Sequence, residues 1–341
     1  MEEVARLVGY QNLPTTPPVA PITAKLPPES RRSRFALRRI IAGLGYQETI
    51  NFSFVEERWE RELAGNTDPI RLLNPIASQM GVMRSSLLGS LLQVLKFNLD
   101  RKAERVRVFE IGRVFARDAS VATTDTTVRG VRQPMRVAGL AYGEADGLQW
   151  ARKTAPVDFY DVKGDVEALL APAGATFERA SHPAMHPGRC ASVHLDGRAI
   201  GFVGELHPRW RQAWELPQAP VLFELDLDAV TARQVPSFQP VPRFQPAERD
   251  LAVIVPDSVT HAQLVAAIRG ADTGGLLREV ALFDVYKPKQ ASAGIAAGEK
   301  SMAVRLTLAD PDATLTDPQI EAAVASVVAL LQQRHAARLR G

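Results

Sequence analysis

The chain has 341 residues, 46% apolar and 23% charged, with 41 basic against 38 acidic side chains. This is an ordinary globular mixture, long enough for two or three domains, and it excludes a disordered chain, a collagen and a coiled coil. A net charge of +3 does not by itself predict nucleic-acid binding. One cysteine, Cys190, leaves no internal disulfide and suits a reducing compartment. The most apolar stretch, Ala322 to Leu331, is about half of the ~20 residues that span a bilayer. The first residues lack the apolar core of a signal peptide, so the expectation is a soluble cytoplasmic protein with no membrane partner.

In chain order, residues 1–9 read as the end of a helix stopped by Gly9, and a stiff proline-rich connector follows. So short a helix must dock on something or be the stump of a longer domain. Residues 28–228 form the first large block. A basic helix is expected from about Pro28 to Leu44, with Phe35, Leu37, Ile40, Ile41 and Leu44 as its apolar stripe. Strands are expected over Gln47–Val55 and Asp68–Leu73, and a helix around Leu88, Leu91, Leu92, Leu95 and Leu99. Further strands fall near 106–115, 136–142, 175–181, 190–195, 198–204 and 221–227, with a loop or hairpin tip over 118–134. A helix capped by Asp161 runs to Leu170. Short turns such as Asp196-Gly197 argue for an antiparallel sheet flanked by helices, an α+β class.

Pro236, Pro240, Pro242 and Pro246 mark residues 229–247 as a linker. Residues 248–341 then read strand, helix, strand, strand, helix, strand: Leu251–Val255, a helix after the capping box Thr260/Gln263, Leu276–Tyr286, Glu299–Leu308, a helix after the box Thr316/Gln319, and a last strand holding Leu339. That order in under about 100 residues is the ferredoxin-like split βαβ pattern.

Side chains alternate along a strand. Strict alternation puts Leu251, Val253, Val255, Ala281, Phe283, Val285, Met302, Val304, Leu306 and Leu308 under the helices. It leaves Asp250, Ala252, Ile254, Val280, Leu282, Asp284, Tyr286, Ser301, Ala303, Arg305 and Thr307 on the open side. An aromatic ring, a carboxylate, a hydroxyl and a guanidinium together suit an unpaired RNA base, stacked on the ring and read at its edges. The bland alternative is a solvated face, or one covering another subunit.

Several stretches now resemble one family, the β subunit of bacterial phenylalanyl-tRNA synthetase. They are Glu-Glu-Val-Ala-Arg-Leu-Val-Gly-Tyr (2–10), Asn-Pro-Ile-Ala-Ser (74–78), Met-Arg-Ser-Ser-Leu-Leu (83–88), Phe-Glu-Ile-Gly-Arg-Val-Phe (109–115), Asp-Phe-Tyr-Asp-Val-Lys-Gly (158–164), His-Pro-Gly-Arg (186–189), Gly-Glu-Leu-His-Pro (204–208), Arg-Asp-Leu-Ala-Val (249–253), Leu-Phe-Asp-Val-Tyr (282–286), Lys-Ser-Met-Ala-Val-Arg-Leu (300–306) and the terminal Leu-Arg-Gly. The resemblance covers the C-terminal part of that subunit and implies an incomplete piece without its tRNA-binding and editing modules. It implies three parts: residues 1–20, a remnant of a preceding domain with its connector; residues 21–235, a class II synthetase-like antiparallel module without catalysis; and residues 236–341, a ferredoxin-fold anticodon-binding domain.

The same resemblance implies a role as a non-catalytic part of phenylalanine–tRNA ligase, with the alpha subunit and tRNA(Phe) as partners, an α₂β₂ assembly, and ATP bound only at the alpha subunit. In Gly112-Arg113-Val114-Phe115-Ala116-Arg117-Asp118, Ala116 stands where a class II enzyme has its phosphate-holding arginine. No glycine-rich motif ending in arginine follows Phe223-Glu224-Leu225-Asp226, so phosphate charge would lack neutralising groups. By motif match, the anticodon contacts are Asp284, Tyr286, Ser301 and Arg340. Glu2 and Glu3 map onto a shared Mg²⁺ site that is incomplete here, so weak or no metal binding is expected. The rival reading is a free-standing RNA-binding or scaffolding protein built from the same domains; a weaker third is an active class II ligase with altered motifs.

Other constellations read as structural. His182 and His186 have zinc-like spacing, but Pro183 and Pro187 spoil a helix there. His207 opens a helix, Ser85 and Ser86 lack a nucleophile-elbow setting, and Cys190 has no activating neighbours. Arg31, Arg32, Arg34, Arg38 and Arg39 would make one helix face basic, either solvated or facing a partner or tRNA phosphate.

Overall fold

A computed structural model describes residues 2–17, 19–21, 28–238, 243–288 and 294–340. The chain divides into two compact units, residues 1–235 and 236–341. Of the linker prolines, Pro240 and Pro242 lie outside the described residues.

The first unit opens with α1 (Glu2–Val8), which ends at Gly9 with φ +90°, a conformation that favours glycine. Next come α2 (Arg34–Gly43), β1 (Gln47–Glu48), β2 (Phe54–Val55), the short α3 (Glu57–Trp59), β3 (Val82–Met83) and α4 (Leu88–Leu99). Then follow β4 (Val106–Arg113), β5 (Ala116–Arg117), β6 (Val131–Arg132), β7 (Met135–Tyr142) and α5 (Phe159–Leu170). The unit closes with β8 (Thr176–Arg179), β9 (Met185–Leu195), β10 (Arg198–Leu206), α6 (Pro208–Ala213), β11 (Val221–Asp226) and α7 (Leu227–Thr231). Seven strands form one sheet in the order β1-β4-β7-β11-β10-β9-β8, antiparallel except for the β1/β4 pair. Alternation splits it between two cores. Phe109, Val137 and Phe223 pack with Leu37 and Ile41 of α2 and Val162 and Val166 of α5. Val106, Val108, Leu140 and Leu222 pack with Leu88, Leu91, Leu92 and Leu95 of α4. Gly139 lies opposite Phe223, whose ring occupies the space a Cβ at residue 139 would need, at 2.3 Å.

Five expectations need correction here. The Ser33 hydroxyl accepts from the Ala36 N–H (3.1 Å), so α2 begins at Arg34 and not near Pro28. Arg31 and Arg32 therefore lie off the helix. Arg31 pairs with Asp228, and Arg32 donates to the Leu169 carbonyl (2.9 Å). Phe35 is 75% exposed and is not part of the apolar stripe. The stretch 47–55 breaks into two short strands, because Asn51 turns inward and donates to Glu110 (2.8 Å), while 68–73 keeps only a bridge between Arg71 and Val82. Asp158, not Asp161, caps α5: its carboxylate accepts from the Tyr160 N–H (2.7 Å), and Asp161 returns a bond to the Asp158 N–H (2.8 Å).

The second unit contains β12 (Ala247–Pro256), α8 (His261–Arg269), β13 (Leu277–Tyr286), β14 (Glu299–Leu308), α9 (Asp317–His335) and β15 (Arg338–Leu339). Its antiparallel sheet has the order β13-β14-β12-β15, the ferredoxin-like arrangement. Gln263 and Gln319 accept from the N–H groups of Thr260 (2.8 Å) and Thr316 (2.9 Å), which starts both helices where the sequence pattern predicts. The helices cover one face of the sheet. There Leu251, Val253, Val255, Met302, Val304 and Leu306 meet Leu264, Ile268, Val327 and Leu331.

On β13 the structure reverses part of the predicted alternation. Register shifts lie between Leu277 and Glu279 and between Leu282 and Asp284. Val280 stands opposite Leu306 and Leu282 opposite Val304, so both join the core under the helices, while Ala281 stands opposite Arg305. The bulge at residue 283 then restores the expected parity for Asp284, Val285 and Tyr286. Phe283 leaves the helix side and packs near the Arg305 guanidinium, 5.8 Å from its ring centroid. One extra residue on a strand is enough to exchange faces.

Candidate nucleic-acid interface

The open face of the second sheet is ordered in rows set by strand register. One row runs Tyr286, Ser301, Ile254, Arg338. The next runs Asp284, Ala303, Ala252, and the Arg340 N–H donates to the Ala252 carbonyl (2.9 Å). Tyr286 and Arg340 stem from opposite edges of the four-stranded sheet, about 14 Å apart at normal strand spacing. The small side chains of Ala252 and Ala303 leave the floor between them low. Across it the Arg340 guanidinium carbon comes to 5.3 Å from the Tyr286 ring centroid, a cation–π contact.

The structure thus brings Asp284, Tyr286 and Arg340 to one end of one face. Tyr286 is 41% exposed. Ser301 stands beside it in register but is only 2% exposed. Around this end the charges are locked in pairs. Glu299 receives a hydrogen bond from the Ala296 N–H (2.8 Å) and pairs with Arg338 (2.5 Å), which together lower its carboxyl below the usual range. Arg305 holds Asp250 with two bonds (2.8 and 2.9 Å) and approaches Glu248 at 3.2 Å, keeping Asp250 well ionised.

The remaining sequence candidates lie in the first unit. Glu2 and Glu3 sit on the exposed helix α1, where Glu3 pairs with Arg6. Magnesium needs several oxygen ligands, and these two residues do not supply such a set. Among the described residues no cluster of three or more His, Cys, Asp or Glu side chains could hold a metal ion. Ala116 lies in β5, and Arg117 beside it pairs with Asp68 (3.2 Å). A different arginine is fully internal. Arg84 and Glu110, with side chains 2% and 4% exposed, form a two-pronged ion pair (2.6 and 3.1 Å) whose donors are committed within the fold. His182 stacks on Phe202 (4.0 Å between centroids) and accepts from the Ala184 N–H, and burial lowers its pKa to about 4. The thiol of Cys190 is buried and pushed up to about 11. Both fit structural roles.

Residues 13–227 match the family model described as the phenylalanyl tRNA synthetase beta chain CLM domain. The chain belongs to the phenylalanyl-tRNA synthetase beta chain family. Residues 242–340 match the ferredoxin-fold anticodon binding domain. Among similar curated proteins, the phenylalanine–tRNA ligase beta subunit of Ralstonia nicotianae is 52% identical over 344 residues, covering 100% of this chain and 42% of that subunit. The beta subunits of Cupriavidus pinatubonensis (51%) and Burkholderia pseudomallei strain 1710b (49%) align over 345 residues, again with all of this chain and 42% and 43% of theirs. The chain therefore spans less than half the length of these relatives.

In this beta-chain family member, the face occupied by the matched anticodon-binding domain carries one residue that alternation hid. Phe283 is exposed beside Arg305, on the same face as Tyr286. A signal for it does exist in the sequence: Val280 and Leu282 are apolar and pack in the core, and the apolar Val285, opposite Met302 on the same side of the strand, follows at a spacing of three. A spacing of three on one face requires an extra residue, and the pairing with β14 makes that residue Phe283.

Proposed function

We propose that this chain is the part of a phenylalanine–tRNA ligase beta subunit that grips the anticodon loop of tRNA(Phe) and offers its first unit as a surface for the alpha subunit. Aminoacylation chemistry, with its ATP, would belong to the alpha subunit, in an α₂β₂ assembly. The observation that carries this reading is the convergence of Tyr286, Asp284 and Arg340 on one face of a sheet that matches an anticodon-binding domain. Tyr286 would stack an unpaired base, Asp284 would accept from a base edge, and Arg340 would contact base or phosphate. Ser301, at 2% exposure, would act as the small neighbour on which the ring is seated. A cytoplasmic location is in keeping with the lack, among the described residues, of any helix long and apolar enough to cross a membrane. Any magnesium would sit at a site shared with the alpha subunit, to which Glu2 and Glu3 would supply only part of the oxygen ligands.

Tyr286→Ala is expected to weaken tRNA(Phe) binding by about 1–3 kcal/mol through lost stacking. A filter-binding titration of the chain against tRNA(Phe) measures it, and unchanged affinity would remove Tyr286 from the site. Arg340→Ala should weaken binding and also make log K against log salt shallower by about one unit if it neutralises a phosphate. An unaltered slope would assign Arg340 to base or ring alone. Copurification with a coexpressed alpha subunit tests the partner; two separate peaks in size exclusion would favour a free-standing RNA-binding protein.

A further inference from the structure

We infer that Phe283 is a second stacking platform, which takes an unpaired RNA base next to the one stacked on Tyr286. This rests on the proposed anticodon role and adds to it a residue and a minimum ligand: single-stranded RNA of at least two accessible bases. Three observations carry it. Phe283 is 56% exposed although a phenyl ring gains nothing from water, and among the described residues no element of its own unit covers it. It reaches the open face only because the strand bulges there, a device that re-aims a side chain at the cost of a regular ladder. Its neighbour Arg305 is fixed by Asp250 and Glu248, so a flat guanidinium and a ring are held side by side.

Geometry sets the number of bases. Phe283 and Tyr286 are three residues apart on one strand, about 10 Å at ordinary rise. Face-to-face contact puts a base about 3.5–4 Å from a ring, so a base held from both sides needs rings about 7–8 Å apart, and at about 10 Å each ring takes its own base. Charge decides what Phe283 meets. Arg305 is outnumbered by Asp250 and Glu248, with Asp284 adjacent, so phosphate is repelled from this spot while a base, especially its amino edge, is accepted. Phe283 therefore contributes through stacking and not through counterion release.

The test uses the full 341-residue chain and a synthetic RNA hairpin carrying the tRNA(Phe) anticodon loop, with 2-aminopurine placed at each loop position in turn. Phe283→Ala should weaken hairpin binding about 5- to 100-fold with an unchanged salt slope. It should abolish the fluorescence change at one loop position, while Tyr286→Ala abolishes it at a different one. Phe283→Trp should restore affinity, and Phe283→Leu, which keeps the apolar area without the ring, should not. If Phe283→Ala binds like the parent while Tyr286→Ala is weakened, the second platform is overturned and the anticodon reading stands. If neither variant is weakened, both fall. If Phe283→Ala lowers stability along with affinity, Phe283→Trp decides: rescue supports the platform and failure overturns it. Loss of alpha-subunit copurification with intact RNA affinity would mean that the ring docks protein, which also overturns it.

Discussion

Glu110→Ala should cost about 3–5 kcal/mol of stability, measured as a fall in the urea midpoint of the chain, because it strands a buried guanidinium. Arg84 sits almost wholly inside the first unit. Nη1 and Nη2 are met by Glu110; Nη1 also donates to the Phe52 carbonyl (3.3 Å), and Nε donates to the Arg113 carbonyl (3.2 Å). Without the carboxylate those carbonyls remain, but the guanidinium loses its directly paired charge in a low-dielectric setting. Gly112 shows how tightly the pair is housed: a Cβ there would lie 2.4 Å from Arg84 Nη2 and 2.9 Å from Glu110 Oε1. A double variant, Arg84→Met with Glu110→Leu, should recover most of the loss, since replacing a buried pair by apolar groups of similar volume is often close to neutral. If Glu110→Ala leaves the midpoint unchanged, the pair contributes nothing to holding the segment around Phe52 on the sheet.

This pair also bears on why the first unit is proposed to be a partner surface and not an active centre. Phosphoryl and nucleotidyl transfer need cationic groups aimed at a substrate. Here Arg84 is consumed by Glu110, Arg117 by Asp68 and Arg136 approaches Asp226 at 3.8 Å. The position next to Arg117 is Ala116. Amino-acid-dependent exchange of ATP and pyrophosphate by the chain alone would contradict the proposal.

What the sequence made legible follows from how local each determinant is. The caps of α8 and α9 are read from residues three apart, and both helices begin where Thr260 and Thr316 say. The ferredoxin-like order follows from element types alone. The misreadings involve a choice between near-equal local options, settled in one case by reciprocal local bonds and in the others by distant contacts. Asp158 and Asp161 both suit an N-cap, and their reciprocal bonds make the earlier one the cap. Arg31 and Arg32 look helical beside Arg34, yet Asp228 and the Leu169 carbonyl hold them outside α2. On β13, parity alone could not show where the register would slip, because the slip is fixed by cross-strand pairing with β14. The four expected anticodon residues nevertheless lie at one end of the open face, Ser301 buried beside Tyr286, since the bulge lies before Asp284 and leaves the parity of that end intact.

The covered side of the same sheet gives the contrasting experiment. Leu331 of α9 is fully buried against β12 and β14 residues such as Val253 and Val304. Leu331→Ala removes three buried heavy atoms and leaves a cavity, at an expected cost of about 2–5 kcal/mol. The urea midpoint should fall with little change in slope. Under native conditions, where the unit stays folded, affinity for tRNA(Phe) should be nearly unaltered, because the helix side carries none of the proposed contacts. Tyr286→Ala should do the reverse, leaving the midpoint in place and weakening the RNA. Crossing the two measurements separates packing from recognition on one thin sheet. If Leu331→Ala weakened RNA binding in a fully folded unit as much as Tyr286→Ala does, the two faces would be energetically coupled, and the open face could not be treated as a preformed platform. An unshifted midpoint would instead mean that α9 does not hold this sheet together, contrary to the burial of Ile320, Val327 and Leu331 along one side of it.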